Sequence, residues 1–333
     1  MKKLILIIAF LTFQVFAQSK VATTIGQFLK IEPSARISSI GGSGTGQFGT
    51  ASSAYYNPAS LGRIQNIDAD FTIADWLADI KYNYGIVAVN TGDAGTFALQ
   101  VISLNSGEIP VRTVEMPLGT GEKYSVTNFA LGLGYGRMLT DRVSVGLIVS
   151  YLNETIWHSS LNGFFFNFGV QYQISESGLT FGASVSNYGT HGKYSGIDLY
   201  INYDFDPKKF GDNDRLPAEL RTDEFTLPTT FRAGISMPLK FTDNYKLILS
   251  VDALHPNDNY ESLALGGELK FFDAFSIRGG YRNLFLIDNE GGLTLGAGAD
   301  INVLNSYRVR FDYSWADYGR LKSVHRVTFG FNI

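Results

Sequence analysis

The chain has 333 residues, a formal charge of -4, no cysteine, 17% charged residues and 14% aromatic ones. Soluble domains carry about a quarter charged residues, so much of this surface need not face water. The mild acidic balance offers no cationic footprint for nucleic acid. The missing cysteine removes disulfides, thiolate metal sites, cysteine nucleophiles and a lipidated N-terminal cysteine.

Lys2 and Lys3 precede an apolar run from Leu4 to Phe16, and Val15-Phe16-Ala17 before Gln18 has the small-residue pattern of a cleavage site. Residues 1–17 are expected to be a signal peptide, cut near Ala17/Gln18. The run is shorter than the about 20 residues a spanning helix needs, and no later segment supplies an apolar stretch of that length. Residues 18–65 are dense in glycine, serine and alanine between Ser34 and Gly49, and continue through Tyr55-Tyr56-Asn57-Pro58-Ala59. A small-residue segment without alternation does not suit a sheet; it is expected to form a hatch or plug.

From Asn66 onward, segments of about ten residues alternate between apolar and small or polar side chains, the period of strands with two unlike faces. Phe164, Phe166, Phe168, Val170, Tyr172 and Ile174 share one face; Phe165, Asn167, Gly169, Gln171 and Gln173 share the other. Strands are predicted at 67–76, 82–90, 95–104, 124–137, 142–155, 163–174, 178–188, 229–238, 245–255, 262–272, 274–283, 292–302, 306–317 and 324–333. Only Pro238 falls in a predicted strand, and it is placed at the strand's end because proline lacks a ladder donor. An even set of about 14 such strands over 66–333 predicts an all-β transmembrane antiparallel barrel of the outer membrane. Alternate connections are short (91–94, 139–141, 175–177, 239–244, 273 and 303–305) and longer (105–123, 156–162, 189–228, 256–261, 284–291 and 318–323), as a barrel with periplasmic turns and external loops requires.

An Arg or Lys on the lipid face costs about 2–4 kcal/mol at mid-bilayer. In the predicted register Arg232, Asp252, Glu268, Lys270, Arg278, Arg282, Arg308, Arg310, Asp312 and Arg326 all lie opposite the apolar stripe. They are expected to form a lumenal charge network, with Asp252 and Glu268 facing Arg278 and Arg282. Tyr151, Trp157, Tyr281, Tyr313 and Trp315 fall toward strand ends, where aromatic girdles belong. The last strand carries Val327, Phe329, Phe331 and Ile333 on one face, suited to closing a barrel.

Several blocks together resemble the PorV/PorQ family. They are Ser34-Ala35-Arg36 through Gly41-Gly42, Asn57-Pro58-Ala59-Ser60-Leu61, Gly107-Glu108-Ile109-Pro110, Gly119-Thr120-Gly121-Glu122, the run Leu139 to Gly146, Leu227-Pro228, Asp252 to Asn259, and Val324-His325-Arg326. They cover nearly all of the chain after the signal segment; the last strand separately resembles the C-terminal signal that barrel-assembly machinery reads, with Ile333 in place of the commoner terminal Phe. The resemblance implies a place in the long-chain fatty-acid transporter (FadL-like) superfamily, with a 14-stranded barrel and an N-terminal hatch carrying Asn57, Pro58 and Ala59. It also implies outer-membrane partners in type IX secretion of Bacteroidota.

Catalytic patterns are weak. Gly44-x-Gly46-x-x-Gly49 matches a dinucleotide fingerprint, but no strand precedes it and no βαβ unit surrounds it. Gly119-x-Gly121-x-Lys123 lacks phosphate-loop spacing. His158, His191, His255 and His325 form no zinc-spaced pair, and His158 beside Ser159 or Ser160 is only formally a hydrolase set, since adjacent strand residues point apart. His255-Pro256-Asn257-Asp258 reads as a rigid turn. No enzymatic activity, cofactor or metal is expected. The leading functional expectation is a component of type IX secretion and cargo surface attachment, its loops 105–123 and 189–228 contacting cargo or translocon. The alternative is a FadL-like channel for hydrophobic small molecules, which requires an apolar pocket beneath the loops and a lateral opening; a lumen filled throughout by paired charges would count against it.

Overall fold

The computed structural model describes residues 23–206, 208, 209, 211, 215–287, 289–303 and 307–333; the expected signal peptide 1–17 lies outside them. Fourteen long strands make the wall: β1 Ile67–Asp75, β2 Lys81–Asn90, β3 Thr96–Asn105, β4 Val126–Met138, β5 Val143–Ile156, β6 Ser159–Gln173, β7 Thr180–Gly189, β8 Thr230–Thr242, β9 Tyr245–Pro256, β10 Ser262–Phe271, β11 Phe275–Leu284, β12 Leu293–Val303, β13 Tyr307–Asp317 and β14 Ser323–Asn332. Each pairs antiparallel with its neighbours in sequence, and β1 pairs with β14, Phe71 opposite Phe329, so the sheet closes into a barrel. Closure leaves no strand edge unpaired, the condition for crossing lipid with strands. Among the described residues the wall is hydrogen-bonded all round, with register shifts in β6–β7, β8–β9 and β10–β11.

The alternation read from the sequence decides which face looks out. Leu131, Leu133 and Tyr135 are exposed on β4, while Ala130 is buried behind them. Phe164, Phe166 and Phe168 are exposed on β6, while Phe165 and Asn167 are buried. A girdle of exposed aromatic and aliphatic residues this continuous is far beyond the patches soluble monomers tolerate. No helix among the described residues is long and apolar enough to cross a membrane.

Connections separate a turn end from a loop end, and two of the expected boundaries need correction. The connection expected at 156–162 shrinks to Trp157 and His158, because β5 and β6 stay paired as far as Ile156 and Ser159. Trp157 takes φ 54 to make that tight turn. The turn expected from 239 shortens likewise, because β8 runs on to Thr242 and places Pro238 inside a strand. The missing donor is tolerated there because β7 ends opposite Ser236, so Pro238 is paired only with β9, through Ile248.

Residues 23–66 run inside the barrel. They enter near the loop end, where the Ile25 amide donates to Thr226 O at 3.1 Å. They leave at the turn end, where Arg63 donates to Arg142 O at 3.0 Å. Single helical turns fold this segment: Ser34 Oγ accepts from the Ile37 amide, and Asn57 Oδ1 accepts from the Ala59 amide at 3.0 Å with Pro58 in the first helical position. Nearly every residue from Ile25 to Leu61 is buried.

Glycines on the wall's inner face make room for it. A methyl group at Gly146 would overlap the Pro58 carbonyl, at Gly182 the Thr45 carbonyl, and at Gly266 the Ile40 carbonyl. Gly146→Ala and Gly182→Ala are therefore expected to destabilise the barrel by about 1–3 kcal/mol each. Gly85→Ala, whose added carbon would lie 3.8 Å from Phe71, should change little. Urea titration of the heat-resistant electrophoretic form measures this, and equal stability of all three variants would contradict the packing.

Candidate functional site

The bore has two unlike halves. On the side formed by β2–β6 the inner face is largely apolar: Tyr82, Tyr84, Ile102, Leu152 and Phe165 are fully or nearly fully buried and pack against Phe28, Leu29, Tyr55 and Tyr56 of the internal segment. Here Tyr55 donates to Leu29 O at 2.7 Å and Tyr82 to Ile31 O at 3.1 Å, so the buried hydroxyls hold the segment's backbone.

On the side formed by β9–β14 and β1, charges dominate. Glu268 accepts from Arg36 of the internal segment and from Arg278, both at 2.8 Å; Arg278 also reaches Asp312 at 2.6 Å. Arg310 binds Asp68 at 2.7 Å and Asp70 at 2.8 Å. The same two carboxylates accept the amides of Ala51 at 2.7 Å and Ser52 at 2.9 Å. Arg326 donates to Glu32 O at 2.8 Å and to Ser38 Oγ at 3.1 Å, and Arg308 pairs with Asp300.

These inward charges therefore bind the internal segment as much as one another. The expected pairing holds for Glu268 with Arg278, but not for the other two residues. Asp252 accepts the Thr45 amide at 2.9 Å and its hydroxyl at 2.6 Å. Arg282 lies 3.6 Å over the Tyr318 ring and bonds its hydroxyl at 2.5 Å. Both turn away because the segment and the loop end offer nearer partners than the neighbouring strand. Asn57 ties the segment to the wall, donating to Val170 O and Thr45 O, each at 3.0 Å. Pro58 and Ala59 beside it are buried.

Thr45, Asp68 and Asp70 were not among the residues singled out from the sequence, and Arg36 and Asp258 were named there only within a family block and a turn. Asp68 and Asp70 alternate inward on β1 and carry the same signal as Asp252; Arg36 and Thr45 lie where no periodicity exists. Asp258, in the loop 257–261, anchors the start of the internal segment through Thr24 and Gln27 at 2.8 Å each and Lys30 at 2.9 Å. The turn expected at His255-Pro256-Asn257-Asp258 is thus also a clamp.

A cavity of about 540 Å³ lies at the loop end, above residues 27–32. Phe28, Ile31, Trp76, Leu104, Leu254 and Leu286 supply its apolar lining, and Lys30, Glu32, Arg232 and Arg282 its charge. Arg232 is 7% exposed and lies 5.5 Å from the centre of the Tyr56 ring, with Nε and Nη1 lacking partners among the described residues. A buried guanidinium without acceptors is costly unless something else supplies them.

The other candidate groups assemble no catalytic set. His158 bonds Asp198 at 3.0 Å and stacks on Trp157; His325 bonds the Tyr313 hydroxyl at 2.7 Å. Gly44 and Gly46 pack tightly in the bore, Gly46 against β8 and β7, which leaves no phosphate cradle there. Among the described residues no group of three or more His, Asp or Glu could hold a metal ion.

The chain matches no protein-family model and no curated protein. Its fold is similar to solved structures. The Pseudomonas putida toluene transporter TodX aligns with a TM-score of 0.56 at 12% identity, over 89% of this chain and 96% of that one. The Ralstonia pickettii toluene transporter TbuX aligns at 0.51 and 11%, over 88% and 96%. The CymD monoaromatic hydrocarbon channel aligns at 0.53 and 13%, over 90% and 96%. At these identities the shared property is the fold, a closed fourteen-strand antiparallel barrel.

Removing one member of a buried ion pair strands the other, a loss of about 3–5 kcal/mol. Arg310→Met, which deserts Asp68 and Asp70, is expected to destabilise by that amount. Arg308→Met, whose arginine is half exposed, should lose less than about 1 kcal/mol; urea unfolding that ranks them the other way would refute the assignment. Burial alone would push the Asp258 carboxyl up, but hydrogen bonds from Gln27, Lys30 and Thr24 and the Lys30 charge hold it below the usual carboxylate range. A depressed acid stabilises above its unfolded pKa and loses that contribution as pH falls through the folded value. The clamp should therefore hold at neutral pH and loosen only below about pH 4, whereas Asp258→Asn should loosen it at neutral pH. Spin-label distances from residue 23 to the barrel rim test both, and unchanged distances in the variant would rule the clamp out.

Proposed function

We propose that this chain is a FadL-like outer-membrane channel for a hydrophobic small molecule with a polar or acidic head, and that residues 18–65 serve as its hatch. Export through residues 1–17, cleavage near Ala17/Gln18, and a lipid-facing girdle belong to the same reading. The observation that carries it is the loop-end cavity, where an apolar lining meets Arg232, a buried cation short of acceptors. Pockets of about 300–1,000 Å³ with few polar groups suit small ligands. Solved structures of similar fold include two toluene transporters and a monoaromatic hydrocarbon channel. The lateral opening expected of such a channel is not seen among the described residues, where the wall is hydrogen-bonded all round, and the internal segment occupies the bore, so passage requires the hatch to move.

Fluorescence titration of the detergent-solubilised chain with a dansyl-labelled medium-chain fatty acid is expected to saturate. Arg232→Gln should weaken binding by about tenfold, the value of a charged hydrogen bond, and Leu104→Arg should abolish it. Absence of saturable binding would overturn the proposal.

A second reading rests on the loops. Val114, Leu118, Phe205 and Phe285 are strongly exposed at the loop end, as a surface that meets other proteins would be. This supports the PorV/PorQ-type role in type IX secretion, with cargo and translocon as partners. Retention of secreted proteins in the periplasm of a deletion strain is its expected sign, and normal secretion would exclude it.

A further inference from the structure

A second cavity, of about 350 Å³, lies at the turn end of the bore, on the opposite side of the hatch from the loop-end cavity. Its roof is the hatch turn 46–50, and the turn residues Ser177, Gly178, Asp273 and Ala274 form its rim. Six cations lie on its walls: Arg36, Lys246, Lys270, Arg278, Arg308 and Arg310.

The arginines and the lysines differ in one respect. Each arginine has a carboxylate, drawn from Glu268, Asp312, Asp300, Asp68 and Asp70. Among the described residues neither lysine has an ion-pair or hydrogen-bond partner, and they are direct Cα partners across β9 and β10. Both occupy inward positions, Lys246 in phase with Ser250 and Asp252, Lys270 in phase with Glu268. Like charges directly opposite on a sheet repel, and here they share a half-enclosed space. The four arginines face five carboxylates, Asp300 among them half-buried, and Asp273 on the rim is exposed, so Lys246 and Lys270 are the two cations of this cavity without an ion-pair partner among the described residues.

We propose that the turn-end cavity binds a small oxyanion, a carboxylate or phosphate group, between Lys246 and Lys270. An ammonium group is a point charge with three rotatable donors, so two of them facing one space can converge on one group of acceptor oxygens. The occupant can come from solution on the turn-end side, as a free anion, or through the bore, as the acidic head of a molecule that has passed the hatch. The site is independent of the loop-end cavity: it shares no lining residue with it and stands whether or not that cavity takes a ligand.

The test uses the full chain in detergent at constant ionic strength, with chloride as the reference anion. Inorganic phosphate and octanoate are added separately while the unfolding midpoint is followed. A saturable rise with phosphate supports the site and assigns it to free anions; a rise with octanoate alone supports it and assigns it to acidic heads. In Lys246→Gln and Lys270→Gln the half-saturating concentration should increase by about tenfold or more. In chloride the same variants should be at least as stable as the parent, because repulsion is relieved. Lys240→Gln, which removes an exposed lysine paired with Asp243, should leave the anion effect unchanged. Equilibrium dialysis of labelled phosphate and octanoate against the unmodified chain gives the answer even if a variant folds poorly. No anion-specific rise and no retained label, or an equal rise in the lysine variants, would overturn the proposal.

Discussion

Fourteen strands enclose a wider bore than inward side chains can fill by themselves; about eight strands is the size at which side chains meet across the middle. Everything else in this molecule answers that constraint. The chain fills the bore with its own N-terminal segment, and the inner wall is shaped to receive it. Glycine recurs on the inner face where the segment's backbone passes, at Gly146, Gly182 and Gly266, because a β-carbon at any of these would overlap a hatch carbonyl.

Filling a bore with backbone creates a second demand, since the hatch's few helical turns leave many amides and carbonyls unpaired and buried. The wall answers with ionised side chains. Asp68, Asp70 and Asp252 take amides of Ala51, Ser52 and Thr45, and Arg326 takes the Glu32 carbonyl. The surrounding ion pairs hold these groups at fixed positions. Buried pairs are weak net contributors to stability but severe when broken, so their effect here is to specify one seat for the hatch. The apolar half of the bore, where tyrosines and aliphatic residues meet Phe28 and Leu29, supplies the non-directional part of the packing.

The wall was legible because lipid outside and an enclosed interior impose period 2 with great strictness, as in Phe164 to Gln173. All fourteen predicted strands correspond to strands in the structure, with ends shifted where pairing outruns turn signals, as at Ile156 and Pro238. The partners of the inward charges were not legible. Asp252 has the same alternation signal as Glu268, yet one binds a threonine of the hatch and the other two arginines. Alternation reports the face, not the neighbour across the bore. Arg36 could not have been found that way, since the hatch has no period. Its small residues announce close packing without saying against what. The loop-end cavity, too, depends on residues far apart in sequence, with Phe28, Leu104 and Arg232 brought together only by closure.

On this account the hatch is as much a part of the folded core as the strands are, and any passage through the bore must disturb it. Hydrogen exchange of peptides spanning residues 34–61, in the detergent-solubilised protein at neutral pH, measures that property directly. Protection as deep as that of β9 and β10 is the expected result. Exchange of those amides within seconds, while the strands stay protected, would mean that the bore is not filled as described and would contradict the account.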